Sequence, residues 1–229
     1  MTLQETLQVK LKAGLLTMGL QISDEKQAKL IAYLLLIVKW NKVHNLTAVR
    51  EPLEMVTLHL LDSMSVLPHV KSTGATNLLD VGAGAGLPSI PLAICLPDLQ
   101  VTAIDSVQKK TSFMRQVKGE LGLSNFHVVA GRVEALKKES CNQGAGFEVI
   151  ISRAFSEISL FIKLTKHLLS DGGQWLAMKG IVPEHEFENH EFQELCFKNG
   201  GIEVGKIEAL KVAGLDAERH LIFLNPSFL

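Results

Sequence analysis

The 229-residue chain is poor in cysteine, with three, and in large aromatics beyond phenylalanine, with one tyrosine and two tryptophans. Cys95, Cys141 and Cys196 stand far apart with no C-x-x-C pair, which argues against a zinc knot or disulfide framework and for a reducing compartment. An excess of charge is also missing. The 23 Lys+Arg against 24 Asp+Glu leave a formal net charge of −1, so any nucleic-acid partner must be met by a local patch. The longest apolar run, Leu30 to Val38, is nine residues, far short of the roughly 20 a spanning helix needs. The N-terminus lacks the charged-then-apolar layout of a secretory signal, and no repeat or low-complexity segment interrupts the chain. What is present is 47% hydrophobic residues, enough for a substantial core. A soluble cytoplasmic protein is expected, and no heptad or apolar stripe demands more than a monomer.

The chain divides by pattern near residue 70. Residues 1–70 read as a helical segment. Leu3, Leu7, Leu11, Leu15 and Met18 recur at helical spacing toward Gly19. Ser23 with Asp24 and Glu25 starts a second helix running to about Trp40. A third begins at Pro52 and carries Met55, Val56, Leu58, Leu61 and Met64 toward Leu67. Residues 71–229 alternate short apolar runs with helices, which means βαβ units and a parallel sheet. Strands are expected at 77–81, 100–104, 126–130, 147–151, 173–178, 201–208 and 219–224, with helices starting near 88, 107, 133, 156 and 184. Between the last two strands no helix is legible, so a closing hairpin with one antiparallel strand at the edge is expected.

The most informative stretch is Leu78-Leu79-Asp80-Val81-Gly82-Ala83-Gly84-Ala85-Gly86-Leu87-Pro88. An apolar run ends in an acid, three glycines follow on alternate positions, and a helix starts. Glycines let the backbone turn sharply while keeping its N–H groups bare for a ligand at the helix N-terminus. There is no Gly-Lys-Ser/Thr, so this is not a P-loop, and the spacing departs from the dinucleotide G-x-G-x-x-G. The arrangement resembles motif I of S-adenosylmethionine-dependent methyltransferases. A second strand ends in Asp105, where an acid can accept both ribose hydroxyls of an adenosyl group.

Other constellations are less specific. Val133 and Glu134 follow the third strand, where an adenine edge could be read or where an acid simply opens a helix. Lys39-Trp40-Asn41-Lys42-Val43-His44-Asn45-Leu46-Thr47 reads first as a helix C-terminal turn closed by lysines and asparagines, and second as a polar patch for RNA. Ser152-Arg153-Ala154-Phe155 ends the fourth strand without the Asn/Asp-Pro-Pro-aromatic set used on exocyclic amines, and no cysteine is placed as a C5-pyrimidine nucleophile. A target with its own lone pair, such as guanine N7, needs neither device. Lys179 at the fifth strand end could contact phosphate or join a lysine-acid set that deprotonates a ribose hydroxyl; Arg219 and His220 add cations near the C-terminus. His185 and His190 are five apart rather than the four of a zincin helix, so a solvated acidic helix and no metal are expected.

Taken in order, Lys39-Trp40-Asn41-Lys42-x-x-Asn45-Leu46-Thr47, His59-x-x-Asp62-Ser63, Asp80-Val81-Gly82-x-Gly84-x-Gly86-Leu87-Pro88, Ser152-Arg153-Ala154-Phe155, Leu176-Ala177-x-Lys179-Gly180 and Glu218-Arg219-His220-Leu221 resemble the bacterial small-subunit ribosomal RNA methyltransferase G family, also called glucose-inhibited division protein B. The resemblance runs from about residue 25 to 224. It implies a class I methyltransferase fold, a Rossmann-like and mainly parallel seven-stranded sheet behind an N-terminal helical segment. It implies an enzyme that methylates N7 of guanine 527 of 16S rRNA, in the small ribosomal subunit, with S-adenosylmethionine. Cofactor contacts then fall on Gly82, Leu87, Val133, Glu134 and Arg153, beside Gly84 and Gly86 of the bend, with Asp105 as the ribose acid. The RNA face takes Lys39, Lys42, Asn45, His59, Lys179, Arg219 and His220. No general base or covalent nucleophile is expected. Two departures from the family pattern are Leu58, in place of a cation on the RNA face, and Ser89, in place of a glycine, which tightens the helix start. An RNA methyltransferase acting on a ribose 2′-O or another base position, a small-molecule methyltransferase, or a non-catalytic rRNA-binding module with a vestigial cofactor pocket, are the alternatives.

Overall fold

The computed structural model describes residues 1–140, 144–153, 155–197 and 201–227; Cys141 and Ala154 lie outside them. The N-terminal segment opens with α1 (Leu3–Thr17), whose start is closed reciprocally by Thr2 and Glu5. Leu7, Leu11 and Leu15 are buried as their spacing requires, whereas Leu3, in the first turn, stays half exposed. In α2 (Asp24–His44) the Ser23 hydroxyl accepts from the Lys26 N–H at the expected cap. This helix continues one turn past Trp40, because nothing before Asn45 breaks it. Asn45 ends it in the left-handed conformation at φ 48°. The expected third helix is divided into α3 (Pro52–Met55), a π-helical turn over Val56–Leu61, α4 (Asp62–Met64) and α5 (Leu67–Ser72).

The rest alternates as expected: β1 (Asn77–Val81), α6 (Ser89–Cys95), β2 (Gln100–Asp105), α7 (Gln108–Leu121), β3 (Phe126–Ala130), β4 (Phe147–Arg153), α8 (Ile158–Thr165), β5 (Leu169–Lys179), α9 (Glu184–Glu188), α10 (His190–Phe197), β6 (Ile202–Ala209) and β7 (His220–Pro226). The helix expected at 133 is a single 3₁₀ turn, Val133–Ala135. Strand order is β3-β2-β1-β4-β5-β7-β6. β1 to β5 are parallel neighbours, and β7 runs antiparallel to both β5 and β6. The expectation of an antiparallel strand at the edge is therefore corrected. β7 folds back into the gap beside β5, and β6 is left outside. The reason lies in the residues: Leu221, Ile222 and Leu224 of β7 are fully buried, whereas β6 alternates with exposed Glu203, Gly205 and Lys206.

Successive strand residues serve opposite faces. Leu78, Ile151, Leu176 and Leu221 join the core shared with α1, α2, α6 and α7; Leu79, Ile150, Trp175 and Ile222 join the one under α8 and α10. Both faces of the sheet are covered, as its continuous apolar strands require. The N-terminal helices and the sheet thus share a contiguous core from Leu7 to Leu221.

Candidate functional site

Strand order reverses between β1 and β4, and there the carboxyl ends of the strands open a crevice. Ser152 Oγ donates to Val81 O at 2.7 Å and locks the two strand ends together. Two clefts flank this junction.

The first cleft, about 410 Å³, lies over the ends of β1, β2 and β3. Gly82, Asp105, Val133 and Glu134 line it, with Val81, Ile104, Val107 and Leu164 as apolar wall and Phe155 at its β4 side. The amides of the bend are not bare as its glycines suggest. Gly82 N–H donates to Ile104 O (2.9 Å), Gly84 N–H to Asp105 Oδ2 (2.9 Å) and Gly86 N–H to Ala83 O (2.8 Å). The bend folds back onto β2 and spends its glycine donors there and within itself. It is therefore no anion nest, which suits a cofactor without phosphate. What glycine provides is conformation and space: φ is 69° at Gly82, and a Cβ there would meet nothing within 4 Å. At Gly86, with φ 88°, a Cβ would fall 2.3 Å from Ile90 Cδ1, so the bend sits directly on α6. Gly86 and Leu87 are accordingly buried behind the cleft. Beneath it, the sole tyrosine, Tyr33 of α2, donates to Ala85 O at 2.7 Å. Asp80 Oδ2 accepts from Ser89 N–H at 3.1 Å, fixing the start of α6.

Asp105 is 6% exposed, and Oδ1 also accepts from Val107 N–H at 2.8 Å. Lys110 Nζ lies 3.8 Å from Oδ2. The carboxylate is thus held in one orientation with lone pairs left for two hydroxyls. Glu134 accepts from Arg132 Nε at 2.6 Å; its own backbone N–H, then Arg132, lower its carboxyl pKa. An aliphatic-walled cleft with a fixed carboxylate and open glycine faces fits an adenosyl group.

The second cleft, about 430 Å³, is lined by Val49, Leu58, His59, Asp62, Arg153, Met178, Lys179, Gly180 and Arg219. Its centre is Asp62, 3% exposed, which accepts from Arg153 Nη1 on Oδ2 (3.0 Å) and from Arg219 Nε on Oδ1 (2.8 Å). Arg153 Nη1 also donates to Leu58 O at 3.1 Å, so Leu58 serves the cleft through its backbone. Arg153, expected among the cofactor contacts, therefore extends from the end of β4 into this second cleft. The π-helical turn presents His59, and Asp62 follows directly at its end; such turns recur at functional sites. Thr47 Oγ1 meets His59 Nε2 at 2.9 Å and ties the loop after α2 to the ring.

Lys179 is far from a free cation. It donates to Glu186 Oε1 (2.7 Å), Phe155 O (3.2 Å) and Ser156 O (3.3 Å), which uses all three ammonium hydrogens. Glu186 also accepts from Ile158 N–H at 2.6 Å and is 6% exposed. The reading of residues 185–190 as a wholly solvated helix is corrected at this position, because Glu186 turns inward to meet Lys179. Among the described residues no three His, Cys, Asp or Glu side chains cluster as metal ligands. His220 Nδ1 meets Gly180 O at 2.6 Å at the rim. In the Lys39–Thr47 patch, Asn45 Oδ1 accepts from Arg50 Nη2 (2.9 Å) and Trp40 Nε1 donates to Gln116 Oε1 (3.1 Å), while Lys39 and Lys42 are exposed. The residues that sequence reasoning missed are Tyr33 and, as a cleft partner, Glu186; Phe155 belonged to a recognised motif with no role assigned to it. Asp62 stood in a recognised motif without a role, although its spacing of three from His59 places both on adjoining turns.

Burial lowers the pKa of His59 to about 4, and burial raises that of Asp80 to about 6. As pH falls from 6.5 toward 4 the unfolded chain takes up a proton that folded His59 refuses, so this group costs stability. Asp80 does the reverse below pH 6, because the folded carboxyl protonates before the unfolded one. The two offset each other in the wild type. His59→Gln removes only the first, so between pH 7 and pH 5 its stability is expected to gain about 2 kcal/mol on wild type in urea denaturation. Parallel stability curves would contradict the buried, neutral imidazole.

Seven strands in this order, with a glycine bend at the switch point and an acid closing the neighbouring strand, define a class I S-adenosylmethionine-dependent methyltransferase fold. The O-methyltransferase from Bacillus cereus in complex with SAH shares it, with a TM-score of 0.59 at 16% identity over 86% of this chain and 91% of that one. The rRNA small subunit methyltransferase G family matches residues 26–222. Proteins named ribosomal RNA small subunit methyltransferase G are 57% identical in Methylobacillus flagellatus, over 95% of this chain and 98% of that one, and 48% identical in Chromobacterium violaceum, over 93% and 95%. The chain belongs to the rRNA small subunit methyltransferase G family, a family of S-adenosylmethionine-dependent enzymes.

Proposed function

We propose that this protein transfers a methyl group from S-adenosylmethionine to N7 of guanine 527 of 16S rRNA, acting as a cytoplasmic monomer on the small ribosomal subunit or its precursor. The observation that carries the reading is the pair of clefts meeting at the locked ends of β1 and β4. One is acid-edged and apolar; the other is lined by Arg153, Arg219, Lys179 and His59. Asp105 holds the ribose, Val133 and Glu134 face the adenine, and Gly82 leaves room for the methionyl end, with Gly84, Gly86 and Leu87 shaping the bend. Arg153 belongs to the second cleft, where Asp62 and Leu58 O hold it at the end of β4. Residues 1–70 complete the substrate face through His59 and Asp62, packed on the catalytic domain of residues 71–229. Lys39, Lys42, Asn45, Arg219 and His220 belong to the RNA side. When bound, the cofactor supplies a methyl group on a sulfonium, which leaves as a neutral thioether. Guanine N7 carries an available lone pair, so the protein's work is alignment and exclusion of water rather than proton removal. Lys179, with its three hydrogens committed, is no base for a ribose hydroxyl, which disfavours the 2′-O alternative.

Small subunits lacking the modification, incubated with labelled cofactor and digested, are expected to carry the label as 7-methylguanosine at position 527. Label on a ribose or on another base would overturn the assignment. Lys42→Ala is expected to reduce transfer roughly fivefold through one lost phosphate contact. Lys179→Ala reduces it further by freeing the Phe155–Ser156 segment. In Lys42→Ala calorimetric affinity for S-adenosylhomocysteine stays near wild type, and an equal loss of transfer and cofactor affinity there would contradict an RNA-side role. Lys179→Ala also loosens Phe155 on the wall of the first cleft, so some cofactor affinity is lost with it.

A further inference from the structure

The balanced net charge conceals a strong separation. From Lys26 to Arg50 there are five Lys or Arg and no Asp or Glu; from Ser106 to Gly119 there are four and again none. These two stretches are α2 with its following loop, and α7, and they pack together. The Trp40 ring lies 5.4 Å from Phe113, edge to face, and Trp40 Nε1 donates to Gln116. The opposite composition occurs at residues 183–194, with five Glu and no Lys or Arg, of which Glu186 and Glu191 are paired with Lys179 and Lys163; α10 packs on β6 at the other end of the sheet. Lys39, Lys42, Lys109 and Arg115 are exposed and form no ion pair among the described residues. The strip also borders both clefts. Lys110 at the start of α7 lines the first, and Val49 in the loop after α2 lines the second.

We infer that the adjoining faces of α2 and α7, through Lys39, Lys42, Lys109 and Arg115, form a continuous track for the phosphate backbone of the rRNA that flanks the target nucleotide. The inference rests on the proposed function and extends its RNA face onto α7. A polyanion is the occupant that the charge favours, since four exposed cations without ion pairs on two packed helices attract phosphates that neutralise them.

The test is the double variant Lys109→Glu, Arg115→Glu, with Glu188→Lys on the acidic end as control. Both altered helix positions are exposed and line neither cleft. KM for small subunits is expected to rise roughly tenfold or more near physiological salt, and the slope of log affinity against log salt to become shallower by about two. kcat at saturating subunits and affinity for S-adenosylhomocysteine stay within twofold of wild type, and Glu188→Lys leaves KM unchanged. An unchanged KM and salt slope in the double variant would overturn the track, as would a matching loss of cofactor affinity or an equal response of the control. If wild type itself transfers no methyl to subunits, the proposed function fails; if wild type transfers and the double variant matches it, only the track fails.

Discussion

Asp105→Ala is expected to lower affinity for S-adenosylhomocysteine roughly 100- to 1000-fold by calorimetry. The carboxylate would lose two charge-assisted hydrogen bonds to ribose hydroxyls, each worth about 1.5–3 kcal/mol. Its loss also releases the Gly84 and Val107 amides, so the bend itself loosens. Asp105→Asn separates these effects. An amide keeps one oxygen for the backbone but loses the charge, and an affinity between alanine and wild type is expected. Unchanged affinity in the alanine variant would remove Asp105 from the cofactor site and the first cleft from the account.

The second large effect is at Asp62. Alanine there leaves Arg153 and Arg219 facing one cleft without their shared anion. Breaking a buried ion pair from one side costs about 3–5 kcal/mol. The side chains of Arg153 and Arg219 are 24% and 27% exposed, so solvent screening reduces this to about 2–3 kcal/mol. A fall in Tm of roughly 5–10 °C follows for a chain of this length. Methyl transfer is expected to fall more than about 100-fold, because both guanidiniums lose their orientation in the cleft. Affinity for S-adenosylhomocysteine changes by less than about threefold, since the first cleft keeps Asp105, Gly82 and its apolar wall. Asp62→Asn keeps one acceptor but turns its amide N–H groups toward the other guanidinium and removes the charge, so it is expected to recover only part of the melting temperature and none of the transfer rate. If cofactor affinity and transfer fell together, the two clefts would not be separate in function.

These two acids differ in how openly the sequence displays them. Asp105 ends an apolar run one strand after a glycine bend, and that local grammar placed it correctly beside Gly82. The seven strands were legible for the same reason: each is a short apolar run bounded by turn residues. The partners of long-range contacts were not legible. Asp62 and Arg219 are 157 residues apart, and no local pattern shows that one carboxylate serves both Arg219 and Arg153. Glu186 stood in an acidic, outwardly helical stretch, yet one residue of it turns inward because Lys179 and the Ile158 amide wait there. The insertion of β7 between β5 and β6 depends on which of two terminal strands is the more apolar, a comparison that periodicity alone does not make. The π-helical turn is equally hidden, since Val56 to Leu61 has an ordinary helical composition. The bend was located correctly but misjudged in detail, because its folding back onto β2 is a tertiary event.

The central claim is that the first cleft holds the methyl donor and the second receives the base, with the end of β4 between them. A crystal structure of the protein with S-adenosylhomocysteine tests it most directly. The account predicts density over Gly82, both ribose hydroxyls on the Asp105 carboxylate and the adenine beside Val133. Density lodged instead between Asp62 and Arg219, or a first cleft filled by its own side chains, would contradict it.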